Sequence, residues 1–130
     1  AIKSIQPLAN IAKPLLTPHS IIATYNTYYE DLPIYLNRQV VIFYPWNSPD
    51  IDKHDNWARD FYDGFNHQRQ RYPNMQLSKH FELYWKDHPN LFVFTSADNF
   101  DTLKVKLNPR PKVLGREKDI VLFTQVQPRH

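Results

Sequence analysis

Three short segments of the chain are almost wholly apolar and rich in β-branched or aromatic residues. They cover residues 20–25, 40–44 and 91–94. Uniformly apolar runs of this length are typical of strands that are covered on both faces, as in parallel sheets. The connection between the first two, residues 28–37, is long enough for a crossover and predicts a short helix near Pro33.

Four further segments show the spacing of apolar residues that predicts a helix. Ser4 can cap the first, over residues 4–13, which Pro14 ends, and Asp55 can cap the second, after an exposed loop over residues 45–53. The third covers residues 77–88 and ends before Pro89, and Ser96 can cap the fourth. The predicted inner faces are, in chain order, Ile5, Leu8, Ala9 and Ala12; Trp57, Phe61 and Phe65; Leu77, Phe81, Tyr84, Trp85 and His88; and Phe100, Leu103 and Leu107.

The end of the chain predicts a β-hairpin. Residues 113–114 and 120–126 form its strands, joined across a five-residue turn, 115–119, that contains Gly115. Strands therefore alternate with helices and finish in the hairpin. This order predicts an α/β fold with a mostly parallel sheet of about five strands, helices on both faces and a C-terminal antiparallel hairpin.

Composition indicates one folded domain. The 130 residues are 42% hydrophobic and 22% charged, so we expect residues 1–130 to form a single soluble domain. The net charge of +3 is scattered, without a run of five Lys or Arg residues, and we expect no nucleic-acid partner. The absence of cysteine excludes disulfides and thiol nucleophiles.

The ends and hydropathy of the chain suggest a piece of something larger. The sequence starts Ala-Ile-Lys-Ser, without an initiator Met or a signal peptide, and has no apolar run of the ~20 residues that span a bilayer. We therefore expect an excised domain whose missing N-terminal part carries the chemistry.

The sequence lacks the motifs that carry catalysis or cofactor binding. Its two glycines, Gly64 and Gly115, cannot form the glycine-rich turn of a Rossmann fold or a P-loop. Each serine is better placed as a cap, a strand start or a turn residue than as a nucleophile in a glycine-flanked elbow. We predict no catalytic residue and no cofactor in this chain.

An acidic loop is the candidate for metal binding. Asp50, Asp52, His54 and Asp55 fall within six residues and could ligate a hard divalent cation. The alternative is a solvated loop whose last carboxylate, Asp55, caps the following helix. We favour the loop, because loops and caps select Asp without any metal, and we assign no metal site.

Tyrosines crowd the segment after the first predicted strand. Tyr25, Tyr28, Tyr29 and Tyr35 are followed by Arg38. Amphipathic rings beside a guanidinium suit a sugar face plus a phosphate, or a membrane interface. The alternative is that Tyr25 and Tyr35 pack at the end of the sheet with their hydroxyls paired.

The same segment carries a family resemblance. Tyr29, Leu32, Pro33, Tyr35, Leu36 and Arg38 reproduce a Tyr-x-x-Leu-Pro-Phe-Tyr-Leu-x-Arg-like pattern, with Ile34 in place of Phe. A helix over residues 3–16 and a strand over residues 21–25 precede it. The chain resembles the soluble C-terminal region of bacterial integral-membrane glycosyltransferases, the aminoarabinose transferase and protein-mannosyltransferase-like enzymes.

The resemblance implies a non-catalytic periplasmic domain at the bacterial inner membrane. The intact enzyme would move a sugar from a polyprenyl-phosphate donor to lipid A or another acceptor, with this domain above the transmembrane domain of the same polypeptide. The family's catalytic acidic residue lies in the transmembrane part, so none is carried over. The predicted substrate-binding residues are Tyr25, Tyr28 and Tyr35, by ring stacking, and Arg38, by pairing with phosphate or carboxylate.

Two other functions remain open. The first is a free-standing ligand-binding or protein-interaction module that uses the aromatic surface. The second is a small metal-dependent enzyme built on Asp50, Asp52 and His54. The region of the gene upstream of Ala1 discriminates the first from the transferase, because only a transferase requires many hydrophobic spans there.

Overall fold

A computed structural model describes residues 5–46 and 74–125 of the chain. Six strands within these residues are β1 (Ile21–Tyr25), β2 (Val40–Tyr44), β3 (Met75–Leu77), β4 (Leu91–Ser96), β5 (Pro111–Glu117) and β6 (Ile120–Gln125). Four α-helices within them are α1 (Gln6–Ala12), α2 (Leu32–Leu36), α3 (Phe81–Asp87) and α4 (Ala97–Leu103). The loop predicted over residues 45–53, except for its first residues, and the helix predicted after Asp55 lie outside the described residues.

The described strands form one mixed sheet in the order β3-β2-β1-β4-β6-β5. β3, β2, β1 and β4 are parallel, whereas β6 runs antiparallel to both β4 and β5. The mostly parallel sheet and the C-terminal antiparallel hairpin are confirmed. The count differs from the predicted five, because β3 is an additional edge strand that the sequence pattern did not reveal.

Helices cover both faces of the sheet, as predicted. One face packs against α1 and α2, and the other against α3 and α4. Buried side chains on the α1 side include Leu8, Ala12, Ile22, Leu32, Leu36, Val40, Ile42, Phe92, Phe94 and Leu122. Buried side chains on the α3 side include Ala23, Phe43, Phe81, Trp85, Val93, Phe100, Leu103, Val121 and Phe123.

Proline sets the length of α1. Leu8, Ala9 and Ala12 form its buried face, as the apolar spacing predicted. Pro14 cannot continue the α-helical hydrogen bonding, so the chain passes into one 3₁₀ turn, Lys13–Leu15, and then becomes extended at Leu16. The predicted capping residue, Ser4, lies outside the described residues.

The helix predicted over residues 77–88 begins later than expected. Leu77 belongs to β3, a 3₁₀ turn covers Ser78–His80, and α3 starts at Phe81. The cap of α4 is confirmed, because the Ser96 side chain accepts a hydrogen bond from the Asn99 backbone nitrogen at 3.1 Å.

The predicted five-residue hairpin turn is wrong. Gly115 and Arg116 pair with β6, so β5 runs on to Glu117 and the connection shrinks to Lys118 and Asp119. Lys118 has a φ of 56°, in the left-handed region, which the tight connection requires. Gly115 is used as a packing residue instead, since a Cβ there would lie 2.7 Å from the Ile11 Cδ1 atom.

Candidate functional site

The carboxyl end of β1 meets the end of β4 where the chain connections diverge to opposite sides of the sheet. Open α/β sheets usually bind ligands in the crevice at such a point. Here the Tyr25 carbonyl accepts hydrogen bonds from Thr95 Oγ1 at 2.6 Å and from Asn99 Nδ2 at 3.1 Å. The same Asn99 amide donates to Thr95 Oγ1 at 3.2 Å. Side chains of this protein therefore occupy the crevice and tie its two sides together.

Asn26 fixes the direction in which the chain leaves β1. Its φ is 54°, a left-handed conformation that Asn tolerates better than most residues. Its backbone nitrogen donates to the Phe43 carbonyl at 2.8 Å, and its side-chain oxygen accepts from the Ser78 hydroxyl. The loop that carries Tyr28 and Tyr29 thus starts from a point anchored to both β2 and the turn after β3.

Two of the predicted site residues, Tyr25 and Tyr28, lie at this carboxyl edge but on opposite faces of the sheet. Tyr25 packs edge-on to Phe81 on the α3 side, with ring centroids 5.0 Å apart. Tyr28 packs beside Tyr29 and Tyr35 against the α1-side core. The crowding seen in the sequence is therefore divided between the two layers.

Burial raises the pKa of the phenols at this edge. Desolvation, and secondarily the carboxylate of Glu82, raises the pKa of Tyr25. Desolvation, followed by the charge of Glu30, raises the pKa of Tyr28. Desolvation raises the pKa of Tyr29 to about 12, although a hydrogen bond from the Thr27 side chain lowers this pKa in part. These hydroxyls can donate hydrogen bonds at neutral pH, but they are poor general bases.

Arg38 lies at the other edge of the sheet. It precedes β2, and its Nη1 atom donates to the Ser20 carbonyl, just before β1, at 3.0 Å. The length of β1, roughly 15 Å for a five-residue strand, separates this edge from Tyr25. The structure therefore does not bring Arg38 together with Tyr25 and Tyr28. The roles of Tyr25, Tyr28, Tyr35 and Arg38 in substrate binding stay predictions.

Arg38 borders a shallow depression of about 420 Å³ on the α3 side, beside Gln39, Val41 and Tyr84. The Tyr84 ring stacks on His88 with centroids 3.8 Å apart, and His88 Nδ1 lies 2.8 Å from the Tyr84 carbonyl oxygen. His88 follows the last residue of α3, so its predicted place at a helix terminus is confirmed.

A deeper groove opens on the α1 side of the same amino edge. We call it the α1-side groove; its volume is about 710 Å³. Its lining comes from the turn after α1, the connection into β4, and strands β4, β5 and β6. The lining residues are Leu15, Thr17, Ser20, Pro89, Asn90, Phe92, Lys112, Leu114, Thr124 and Gln125. No local sequence pattern marks this groove, because its residues are far apart along the chain.

Two features of residues 5–46 and 74–125 bear on other functions. No three His, Asp or Glu side chains there are grouped so that they could hold a metal ion. The alternative site at Asp50, Asp52 and His54 lies outside those residues. None of the helices in that part of the chain is both long enough and apolar enough to cross a membrane.

The fold of this chain has a counterpart among solved structures. It matches ArnT from Cupriavidus metallidurans. The crystal structure of ArnT bound to undecaprenyl phosphate and the crystal structure in the apo state each align with a TM-score of 0.68 and 19% sequence identity. No protein-family model and no curated protein sequence matches the chain.

The match covers 95% of this chain but 21% of ArnT. The chain thus spans about a fifth of the length of the protein that it resembles. At 19% identity the likeness establishes a shared fold. The shared fold extends over nearly all of the present chain.

Proposed function

We propose that this chain is the non-catalytic periplasmic domain of an ArnT-like membrane glycosyltransferase. The complete polypeptide would carry a transmembrane domain in the bacterial inner membrane. It would transfer a sugar from a polyprenyl-phosphate donor to lipid A or another acceptor. The observation that carries the proposal is the coverage of the fold match, 95% of this chain against 21% of ArnT. Such unequal coverage is expected when a chain corresponds to one small domain of a large membrane protein.

The geometry at the carboxyl edge favours a structural role over catalysis. Thr95 and Asn99 direct their polar atoms at the backbone of β1 rather than into an open cleft. The Ser78 hydroxyl is bound to Asn26 in the same way. The polar groups at the usual ligand crevice of an α/β sheet therefore hold the fold together, which supports chemistry elsewhere in the polypeptide.

The four predicted substrate-binding residues divide into two groups in this proposal. Tyr25 and Tyr28 belong to the carboxyl edge, and Arg38 to the amino edge. Because one small headgroup cannot touch both edges, at most one of the two groups binds it. Tyr35, on α2, packs against the α1-side core and is only partly exposed.

The proposal is tested first on the gene. The reading frame upstream of Ala1 should encode many hydrophobic spans of ~20 residues and an acidic residue in a periplasmic loop. An upstream region that encodes only a soluble domain would rule out the membrane glycosyltransferase.

The residue roles are tested in the complete polypeptide, reconstituted with a polyprenyl-phosphate sugar and lipid A. Arg38→Ala should lower the rate of transfer if the amino edge faces the membrane domain. Tyr28→Leu should lower it, and Tyr28→Phe should not, if the carboxyl edge provides ring stacking. Lys86→Gln, which removes an exposed cation from α3, is the charge control. Since Arg38 also bonds to Ser20, each variant's thermal unfolding is measured alongside.

A free-standing ligand-binding module is the second candidate. The observation that favours it is the α1-side groove, whose volume of about 710 Å³ falls in the range of small-molecule sites, about 300–1,000 Å³. A soluble upstream region, together with saturable ligand binding by the chain itself, would place this function first.

A further inference from the structure

The α1-side groove exists because α1 is too short to cover the sheet. Leu8 and Ile11 lie over Gly115 of β5, so the helix covers that part of the strand. Pro14 ends the helix before it passes Leu114, and the chain turns away at Leu15. The floor of the groove is formed by Leu114 of β5, which is partly exposed, and by Phe92 of β4 and Thr124 of β6, which are each only 8% exposed.

The polar side chains around the groove are already bound to other parts of the protein. Thr124 Oγ1 donates to the Leu91 carbonyl at 2.7 Å, and the Gln125 amide donates to the Trp85 carbonyl. The Ser20 hydroxyl accepts from the Thr17 backbone nitrogen at 2.8 Å, and the Asn90 amide donates to His19. Few side-chain donors therefore remain around the groove to bind the polar groups of a ligand.

One charge borders the groove. Lys112 is exposed at its rim, and the ten lining residues include no carboxylate. In the part of the chain that the structure describes, no ion pair involving Lys112 is present. Four of the lining residues, Leu15, Pro89, Phe92 and Leu114, are apolar. An apolar floor with a single cation at the rim complements a molecule with an apolar body and one anionic end.

We propose that the α1-side groove binds a single-chain anionic amphiphile. Its apolar chain lies along Leu15 and Leu114, above the buried Phe92, and removes the exposed surface of these two leucines from water. Its head, a carboxylate or a phosphate monoester, pairs with Lys112. The proposal stands on the groove residues alone and does not depend on the assignment to a membrane glycosyltransferase.

The binding test uses dodecyl phosphate and dodecanoate below their micelle concentrations, titrated into the chain by calorimetry. Both should bind saturably, one molecule per chain. Dodecyl maltoside, with a neutral head, should bind at least roughly threefold more weakly, and inorganic phosphate should not bind measurably. Tighter binding of dodecyl phosphate would show that the groove prefers a phosphate monoester as the head group. Tighter binding of dodecanoate would show that it prefers a carboxylate.

Two variants locate the site. Lys112→Gln should weaken the binding of both anions roughly threefold to fivefold, as expected for an exposed ion pair, and should leave dodecyl maltoside unaffected. Leu114→Trp should fill the groove and weaken binding more than tenfold. Val113→Trp is the matched control, because Val113 pairs with Phe123 and faces the α3 side of the same strand. Lys86→Gln controls for the loss of a cation.

Three results would overturn the proposal. The first is the absence of saturable binding by either anion. The second is binding that neither Lys112→Gln nor Leu114→Trp alters; Lys112→Gln keeps this test valid even if Leu114→Trp fails to fold. The third is a concentration-dependent dimer in sedimentation that Leu114→Trp abolishes, since a second copy of the chain would then occupy the groove.

Discussion

Two side-chain donors hold the Tyr25 carbonyl, and this arrangement predicts strong coupling between them. Thr95→Val replaces a fully buried hydroxyl with a methyl group of the same shape and removes the 2.6 Å hydrogen bond. Asn99→Ala removes the 3.1 Å bond to the same carbonyl. Either single variant leaves one donor in place, whereas the double variant removes both.

The expected magnitudes follow from the cost of single hydrogen bonds. Thr95→Val should lower the free energy of unfolding by about 1 kcal/mol. Asn99→Ala should also cost about 1 kcal/mol, because the better helix propensity of Ala, about 0.5 kcal/mol, offsets part of the loss. The double variant should cost about 3 kcal/mol, since a half-buried carbonyl then loses both side-chain partners. Each kcal/mol corresponds to about 3 to 5 °C in Tm for a domain of this size.

Urea unfolding of the four proteins gives the coupling energy directly. Thr102→Val is the matched control, because its hydroxyl lies on the exposed side of α4 and makes only a 3.5 Å contact with the Asp98 carbonyl. It should change stability by less than about 0.5 kcal/mol. A neutral Thr95→Val would show that this hydroxyl does not hold the crevice closed, and a double variant that costs no more than the sum would show that the two donors are not coupled.

Three further predictions concern packing and pH. Gly115→Ala should destabilise the chain by about 1 to 2 kcal/mol in urea unfolding, and Ile11→Val, which removes the atom 2.7 Å from the new Cβ, should restore part of that loss. Trp85→Phe should cost about 2 to 3 kcal/mol in the same assay, since it deletes the 2.7 Å bond from Nε1 to the Pro109 carbonyl and leaves a void. The pKa of Tyr29 is raised from 10.0 to about 12, so the unfolded chain loses that proton first and stability should fall between these pH values. Tyr29→Phe should make the fall shallower in unfolding curves recorded from pH 9 to 12.

The buried strands and the main helices were predictable from the sequence because their apolar patterns are strong. β1, β2, β4 and β6 are each dominated by buried side chains. β3 was missed since it has three residues, of which only Met75 is buried. An edge strand with so little apolar pattern resembles the polar start of a helix, and Leu77 was therefore assigned to the helix that follows.

Gly115 shows how a local rule can mislead. A glycine followed by a run of charged residues, here residues 116–119, normally indicates a turn. Here it lies inside β5, where the close approach of Leu8 and Ile11 leaves no room for a Cβ. That constraint comes from a helix about a hundred residues earlier in the chain, so no window around Gly115 contains it.

The separation of Arg38 from Tyr25 could have been deduced from the sequence. The same pattern that predicted a crossover between two parallel strands requires residues just before β2 to lie at the edge where β1 begins. Arg38 precedes β2 by two residues, whereas Tyr25 ends β1. The α1-side groove could not be deduced in this way, because its shape depends on where α1 stops relative to Leu114.

The two edges of the sheet therefore differ in what they can do. At the carboxyl edge, the side chains of Thr95 and Asn99 donate hydrogen bonds to the backbone of β1. A ligand there would have to break these bonds, which stabilise the fold. At the amino edge, a ligand could contact the partly exposed Leu114 and the charge of Lys112 without breaking such bonds. At equal ligand concentration, a ligand of the amino edge should thus raise Tm more than a similar ligand of the carboxyl edge, because the broken bonds weaken binding at the carboxyl edge.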